Sequence, residues 1–182
     1  MHRLFVALRP PPAVRALLLD AMGGVPGARW QDDEQLHITV RFIGEVDRRH
    51  AEDIAAALAA VAAPAPGVRI DGVGTFDRRG RVDTLWARVG PADPLAALHR
   101  KVDQALARAA VAPDPRRYLP HVTLARFSRT AADPAAIERW VADHAALASP
   151  TFALSHLMLY ESVLAHDGAR YEAIARWPLD PA

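Results

Sequence analysis

The chain has 182 residues, of which 51% are hydrophobic and 24% charged, a balance typical of one folded globular domain rather than a disordered segment. Its net charge of +1, from 22 basic and 21 acidic residues, argues against a broad non-specific nucleic-acid surface but leaves room for a local basic patch. Because the chain contains no cysteine, disulfides, thiolate metal sites and cysteine nucleophiles are excluded.

The first half of the chain alternates strand and helix patterns. Apolar residues recur at helical spacing where a helix is predicted and at every second position where a half-buried strand is predicted. The basic segment DRRGR (77–81) joins the last two strands as a hairpin. In chain order, we predict strand 3–8, helix 11–22, strand 36–44, helix 47–61, strand 68–76 and strand 82–89.

The second half repeats this pattern in kind. Asp93-Pro94 and Asp133-Pro134 each predict a helix start, with Asp as the N-cap and Pro in the first turn. In chain order, we predict helix 92–109, loop 113–120, strand 121–127, helix 133–145, strand 151–162 and strand 169–177.

These elements predict one α+β domain over residues 1–182, built from two similar lobes of mostly antiparallel sheet with outer helices. The N-terminal apolar run is too short for a signal peptide, and no apolar run approaches the roughly 18 residues of a membrane span. We therefore expect a cytoplasmic protein without a membrane segment, and a monomer.

The tripeptide His-x-Thr occurs twice, each time inside a predicted strand. LHITVRF (36–42) and HVTLARF (121–127) place the two histidines 84 residues apart (121 − 37). Strict alternation puts His37, Thr39 and Arg41 on one face of the first strand, and Leu36, Ile38, Val40 and Phe42 on the core face. In the second strand, His121 and Thr123 share a face, whereas Arg126 falls on the opposite one.

Either copy alone is typical of a solvated strand face. Two copies in a chain with eight histidines and six threonines favour one joint site. One imidazole near its ordinary pKa of about 6.5 can accept a proton while a second, protonated, donates one. Two hydroxyls beside them suit the oxygens of a phosphoryl group, and Arg41 or Arg126 can add charge-assisted bonds. Such chemistry needs no metal or cofactor, and the zinc spacing His-Glu-x-x-His is absent from the sequence.

The strings LFVALRPP, LHITVRFIGEV, PHVTLARF and LYES followed by WPL resemble the two-histidine (2H) phosphoesterase superfamily. Within it, the chain is most similar to the bacterial and archaeal RNA 2′,3′-cyclic phosphodiesterases, long called 2′-5′ RNA ligases. The resemblance extends from the first predicted strand to the last. It implies a bilobal α+β fold with a central cleft, and metal-independent hydrolysis of RNA-terminal 2′,3′-cyclic phosphates to 2′-phosphates.

The resemblance also implies residue roles. His37 corresponds to the general acid for the 3′-oxygen, and His121 to the general base that activates water. Thr39 and Thr123 correspond to the ligands of the non-bridging oxygens. Arg126 matches a basic position after the second motif. Because strict alternation places it on the face opposite His121, it reaches the phosphate only if the strand bulges or if it approaches from the end of the strand. Phe42 offers a base-stacking surface at the cleft edge, while parity favours the core.

Several alternatives stay open. The same two histidines serve the reverse reaction, which joins a cyclic phosphate end to a 5′-hydroxyl as a 2′-5′ linkage. A non-catalytic nucleotide-binding or RNA-binding module, or an enzyme for a small cyclic nucleotide, also fits. Arg116, Arg117 and Tyr118 before His121 fit either an RNA-contacting loop or a solvated one. The basic hairpin tip at 77–81 also fits a substrate contact, although a solvated tip is favoured.

Overall fold

A computed structural model describes residues 1–128, 133–165 and 168–181. The fold is α+β, as predicted, and within the described residues it has four helices and a nine-stranded sheet, compared with the seven strands predicted from the sequence. None of the helices in the described ranges is long and apolar enough to cross a membrane. The strands are β1 (His2–Leu8), β2 (Ala28–Trp30), β3 (Ile38–Val46), β4 (Gly67–Arg78), β5 (Arg81–Gly90), β6 (His121–Phe127), β7 (Phe152–Ala153), β8 (His156–Ala165) and β9 (Gly168–Pro178). The helices are α1 (Pro12–Asp20), α2 (Arg48–Ala59), α3 (Ala92–Arg108) and α4 (Pro134–Asp143).

The sheet consists of two four-stranded halves that meet at the His-x-Thr strands. The strand order is β7-β4-β5-β6-β3-β1-β8-β9, and these named strands pair antiparallel. At the centre, β3 and β6 pair only through Ile38 and Val122. The short strand β2 pairs with the later residues of β6, from Ala125 to Phe127.

The helices cover one face of this sheet. Along β1, Leu4, Val6 and Leu8 are fully buried in the main core, which also contains Ile54 of α2 and Trp140 of α4. The alternate residues Phe5 and Ala7 point the other way. They belong to a separate small apolar cluster with Tyr160 that contains no helical residue. The face opposite the helices is therefore left open for a site.

Helix starts follow the predicted capping chemistry in part. The carboxylate of Asp133 accepts a hydrogen bond from the backbone N–H of Ala135, with Pro134 in the first turn. The prediction that Asp93 caps α3 is wrong. The helix begins at Ala92, the predicted first residue, with Pro91 at the N-cap position, so Asp93 lies in the first turn, where its charge still favours the helix dipole.

Two short elements were not predicted from the sequence. One is β2, whose three residues are too few for alternation to be recognised. The other is a 3-10 helix at Asp33–Gln35, closed by reciprocal hydrogen bonds between Asp32 and Gln35.

Candidate active site

The two His-x-Thr motifs lie side by side on the open face of the sheet. Ile38 and Val122 are paired across β3 and β6, and both are fully buried on the helix side. In this antiparallel register, the residues on either side face each other in crossed fashion: His37 lies opposite Thr123, and Thr39 opposite His121. The structure thus brings the four motif residues together on one face, which we call the site face.

Each imidazole is held by the same backbone hydrogen bond. His37 Nδ1 lies 2.6 Å from the carbonyl oxygen of Gln35, and His121 Nδ1 lies 2.7 Å from that of Leu119. A carbonyl oxygen only accepts, so Nδ1 carries the proton in both rings. Both Nε2 atoms are thereby left as the reactive positions, and His37 Nε2 lies 3.1 Å from Thr39 Oγ1.

Both imidazoles are shifted towards the neutral form. Burial, with smaller contributions from the neighbouring charges of His121 and Arg126, lowers the pKa of His37 to about 4. The pKa of His121 is also lowered, first by burial and then by the charge of Arg126. The hydrogen bonds from Nδ1 to the two carbonyls oppose these shifts without overcoming them. Near neutral pH both rings are therefore uncharged in the free protein.

Aromatic side chains surround each histidine, an arrangement that was not predicted from the sequence. The His37 ring lies with its centroid 5.0 Å from Phe5 and 5.1 Å from Tyr171, and Tyr160 stacks on Phe5 at 5.2 Å. These rings come from β1, β8 and β9, segments far from the motif in the chain. They supply the burial that lowers the pKa of His37.

In the other half, Phe76 and Trp86 flank His121. Their ring centroids lie 4.9 and 6.0 Å from the imidazole, and the two rings are 5.0 Å apart. Trp86 pairs across the strands with Gly74, and a Cβ on that glycine would lie 2.5 Å from the indole ring. Gly74 thus leaves the space that the Trp86 ring occupies beside His121.

A β-bulge places Arg126 on the site face. On β5, Leu85 pairs with Ala125 and the next residue, Trp86, pairs with Thr123, so that Leu124 is the additional residue of β6. The bulge reverses the alternation, and Arg126 projects to the same side as Thr123. Its positive charge adds to the effect of burial in lowering the pKa values of His37 and His121.

The equivalent bulge in the first motif overturns the predicted placement of Arg41. Val6 pairs with Arg41 and Ala7 with Thr39, which leaves Val40 as the additional residue. Arg41 therefore points to the helix side, where it is 6% exposed and its Nε donates to Asp103 Oδ1 on α3 at 2.6 Å. It also binds the carbonyl oxygens of Phe42 and Ala112. The prediction that Arg41 lies beside His37 and Thr39 is wrong.

The same bulge moves Phe42 out of the core. Phe42 pairs with Phe5, lies on the site face and is 38% exposed, so its assignment to the core face by parity is wrong. The guanidinium of Arg3 lies 5.3 Å from its ring centroid. Phe42 and Arg126 are 84 residues apart (126 − 42), as are the two histidines, and they occupy equivalent positions after equivalent bulges.

The two basic segments of the sequence, the loop at 116–118 and the hairpin tip at 77–81, lie outside the paired motif strands. Tyr118 stacks on His99 of α3, with ring centroids 4.5 Å apart, so this residue turns towards the helix side. Arg116 is exposed and binds Asp114 through Nη2 at 2.7 Å, while Arg117 is exposed. At the hairpin tip, the turn is formed by Arg79 and Gly80, both with positive φ.

Charged residues fix the segment that leads into the first motif. Asp33 in the 3-10 helix accepts hydrogen bonds from Arg15 Nε at 2.8 Å and from Arg9 Nη2 at 2.9 Å. The side chain of Gln35 donates to the carbonyl oxygen of Ala169 on β9 at 2.9 Å. Because the Gln35 carbonyl accepts the His37 Nδ1 proton, these contacts orient the imidazole.

Comparison with known proteins agrees with this arrangement. The sequence profile of the 2′-5′ RNA ligase superfamily matches residues 10–164. The chain belongs to the 2′-5′ RNA ligase superfamily. One relative is an RNA 2′,3′-cyclic phosphodiesterase of Aeropyrum pernix, which is 30% identical to this chain. The match covers 83% of this chain and 85% of the relative. One of Geobacillus stearothermophilus is 32% identical over 88% of this chain and half of its own length.

Solved structures share the fold of this superfamily member. The protein TT0787 of Thermus thermophilus superposes with a TM-score of 0.77 at 22% identity, and each chain is covered to 98%. The Escherichia coli protein LigT, crystallised with 3′-AMP, superposes with a TM-score of 0.73 at 22% identity and the same coverage.

Proposed function

We propose that the protein hydrolyses the 2′,3′-cyclic phosphate at an RNA end to a 2′-phosphate, using its paired histidines and no metal ion. The observation that carries this proposal is the crossed arrangement of the motifs. Each histidine faces the threonine of the other motif on the site face, and both Nε2 atoms are the reactive positions. A phosphoryl group between them meets a base, an acid and two hydroxyls at once.

The reaction needs one neutral and one protonated imidazole. Neutral His121 accepts a proton from water, whose oxygen forms the new bond to phosphorus. The bond from phosphorus to the 3′-oxygen breaks, and protonated His37 donates its proton to that oxygen. This assignment of acid and base follows the family resemblance. Binding of the anionic phosphate next to His37 favours its protonated form, because an adjacent negative charge raises the pKa of an imidazole.

The remaining site residues bind the substrate. The hydroxyls of Thr39 and Thr123 donate to the non-bridging oxygens, where negative charge increases in the transition state. Arg126 adds a charge-assisted contact to the same oxygens, since the bulge at Leu124 brings it onto the site face beside Thr123. Phe42, with Arg3 against its ring, offers an exposed aromatic surface for a base.

The named relatives support this substrate. The A. pernix and G. stearothermophilus proteins carry the name RNA 2′,3′-cyclic phosphodiesterase, as does a Methanocaldococcus jannaschii protein that is 24% identical over 96% of this chain. LigT has been crystallised with 3′-AMP and with phosphate, both of which present phosphate oxygens.

The test is incubation with a 2′,3′-cyclic-phosphate oligoribonucleotide in EDTA, with the 2′- and 3′-phosphate products resolved. We expect sustained turnover to the 2′-phosphate. A 3′-phosphate product, or turnover that EDTA abolishes, contradicts the proposal. Tight binding of a 2′-nucleotide without turnover identifies a non-catalytic binding module instead.

The family also points to the reverse reaction as a second candidate. The same two imidazoles serve ligation when a 5′-hydroxyl occupies the position of water. Adding an acceptor strand with a 5′-hydroxyl to the assay distinguishes the two directions. A joined product with a 2′-5′ linkage in place of the 2′-phosphate favours ligation.

A further inference from the structure

An arginine lies directly opposite His121 on the neighbouring strand. In the β5–β6 pairing, Arg88 faces His121, so both side chains project onto the site face. Arg88 is exposed. Among the residues that the structure describes, its guanidinium has no hydrogen-bond or ion-pair partner. An unpaired cation beside the reactive histidine is available to a ligand.

A second arginine extends this positive charge away from His121. Arg69 of β4 pairs with Gly90, the next residue of β5 on the same face after Arg88. Gly90 itself has no side chain, and the Asp71 carboxylate lies beside it, with Oδ2 3.6 Å from the position that a Cβ would occupy. Arg69 is 56% exposed, and its one ion pair, to Asp71, spans 3.9 Å with both side chains half in solvent. Such a pair neutralises little charge. We call Arg88 and Arg69 the basic strip.

The other half of the sheet lacks such a free cation at the equivalent position. Leu8 of β1 pairs with Ile38 of β3. In this antiparallel register the next residue of β1, Arg9, lies opposite His37, just as Arg88 lies opposite His121. Arg9 Nη2, however, binds Asp33 Oδ2 at 2.9 Å and Glu34 Oε1 at 3.0 Å. These carboxylates neutralise Arg9, whereas Arg88 has no such partner among the described residues, and the one acidic side chain beside the strip there, Asp71, pairs loosely with Arg69 at 3.9 Å. The two halves therefore differ in charge despite their similar strands.

We propose that the basic strip binds backbone phosphates of the RNA chain that ends in the cyclic phosphate, which makes the protein selective for polynucleotides over cyclic mononucleotides. This rests on the proposed function. The cyclic phosphate itself is bound between the motifs, and Arg88 lies one strand farther out. A guanidinium binds a phosphodiester through two parallel hydrogen bonds. A mononucleotide has no second phosphate to reach it.

The experiment compares kcat/KM for a cyclic-phosphate oligoribonucleotide and for a 2′,3′-cyclic mononucleotide. The variants are Arg88→Gln and Arg69→Gln, with Arg100→Gln as the matched control, since Arg100 is exposed on α3 on the helix side. We expect the ratio of the two kcat/KM values to fall about tenfold in Arg88→Gln, as for one lost charged hydrogen bond. We also expect a plot of the logarithm of the oligonucleotide binding constant against the logarithm of the salt concentration to become less steep. Its slope changes by about 0.7 for each phosphate contact that is lost.

An unchanged ratio in both strip variants, or a ratio that falls equally in Arg100→Gln, overturns the proposal. If the wild-type protein turns over neither substrate, the proposed function has failed, and the strip is tested by binding alone. Fluorescence anisotropy of a labelled oligoribonucleotide then decides. Weaker binding by Arg88→Gln than by wild type and Arg100→Gln supports the strip, and equal binding overturns it.

Discussion

His37 and His121 orient their imidazoles by the same contact, a hydrogen bond from Nδ1 to the carbonyl oxygen two residues earlier. The distances are 2.6 and 2.7 Å, to Gln35 and Leu119. Both Nε2 atoms are consequently unprotonated and free to accept a proton. Aromatic rings also flank both imidazoles, Phe5 and Tyr171 at His37 and Phe76 and Trp86 at His121. The two motifs therefore present their imidazoles in the same tautomer, and the proposed division into acid and base follows the family resemblance.

The first prediction concerns pH. With the pKa of His37 lowered to about 4, only about one free molecule in a thousand carries protonated His37 at pH 7. His121, the proposed base, stays neutral to below pH 6.5 because its pKa is lowered too. The optimum of kcat/KM, which reports the free enzyme, is expected below pH 6.5. The optimum of kcat is expected at higher pH, because bound phosphate raises the pKa of His37.

Steady-state rates over pH 4–9 check this. Coincident profiles of kcat and kcat/KM, with the optimum above pH 7, would show that burial does not control the two imidazoles.

The second prediction concerns Arg126. Its removal in Arg126→Gln takes a cation away from both histidines, so both pKa values rise and the optimum of kcat/KM moves to higher pH. Loss of the charge-assisted phosphate contact lowers kcat by about 100-fold. The pH profile of the variant is compared with that of Arg100→Gln. An unshifted optimum contradicts the placement of Arg126 at the site.

The third prediction treats Arg41 as a structural residue. Arg41→Ala removes a buried guanidinium together with its bonds to Asp103 and to two carbonyl oxygens, and we expect the free energy of unfolding to fall by about 3 kcal/mol. The exposed pair of Arg48 with Glu52 provides the control, and Arg48→Ala is expected to change stability by less than about 0.5 kcal/mol. Urea unfolding measures both. Equal stability of the two variants would mean that Arg41 is not held as described.

The fourth prediction concerns the contact of Gly74 with Trp86. Gly74→Ala places a Cβ within 2.5 Å of the indole ring, so the ring must move. We expect a loss of about 1–3 kcal/mol in stability and a lower kcat, because Trp86 flanks His121. Gly67 of the same strand has open space around its Cβ position, and Gly67→Ala is expected to retain both stability and kcat. Similar behaviour of the two variants would contradict this packing.

Much of the fold could be predicted from the sequence, because alternation and helical periodicity are local signals. The strand over 121–127 agrees with the structure to the residue, and the repeated His-x-Thr spacing identified the residues that meet across β3 and β6. The resemblance to a family supplied the substrate and the division of roles, which spacing alone does not contain.

The side of the sheet on which the residues after each motif lie could not be predicted, because a bulge adds one residue to the strand without any signal in the sequence. Val40 and Leu124 are ordinary buried residues, yet each reverses the alternation after it. Strict parity therefore failed for Arg41 and Phe42 and left Arg126 unexplained. The aromatic surroundings of His37 could not be predicted from the sequence either, since Tyr160 and Tyr171 reach it through pairing of β1 with β8 and of β8 with β9.

The fifth prediction tests the central claim, that the two histidines act together on a cyclic phosphate. Turnover of a 2′,3′-cyclic-phosphate oligoribonucleotide is measured for His37→Ala and His121→Ala. His50→Ala serves as the control, since His50 lies on α2 and bonds the carbonyl oxygen of Ala109. We expect each motif variant to lose at least about 100-fold in kcat while keeping a wild-type circular dichroism spectrum, and the control to stay active. Activity near the wild-type level in either motif variant would contradict the account.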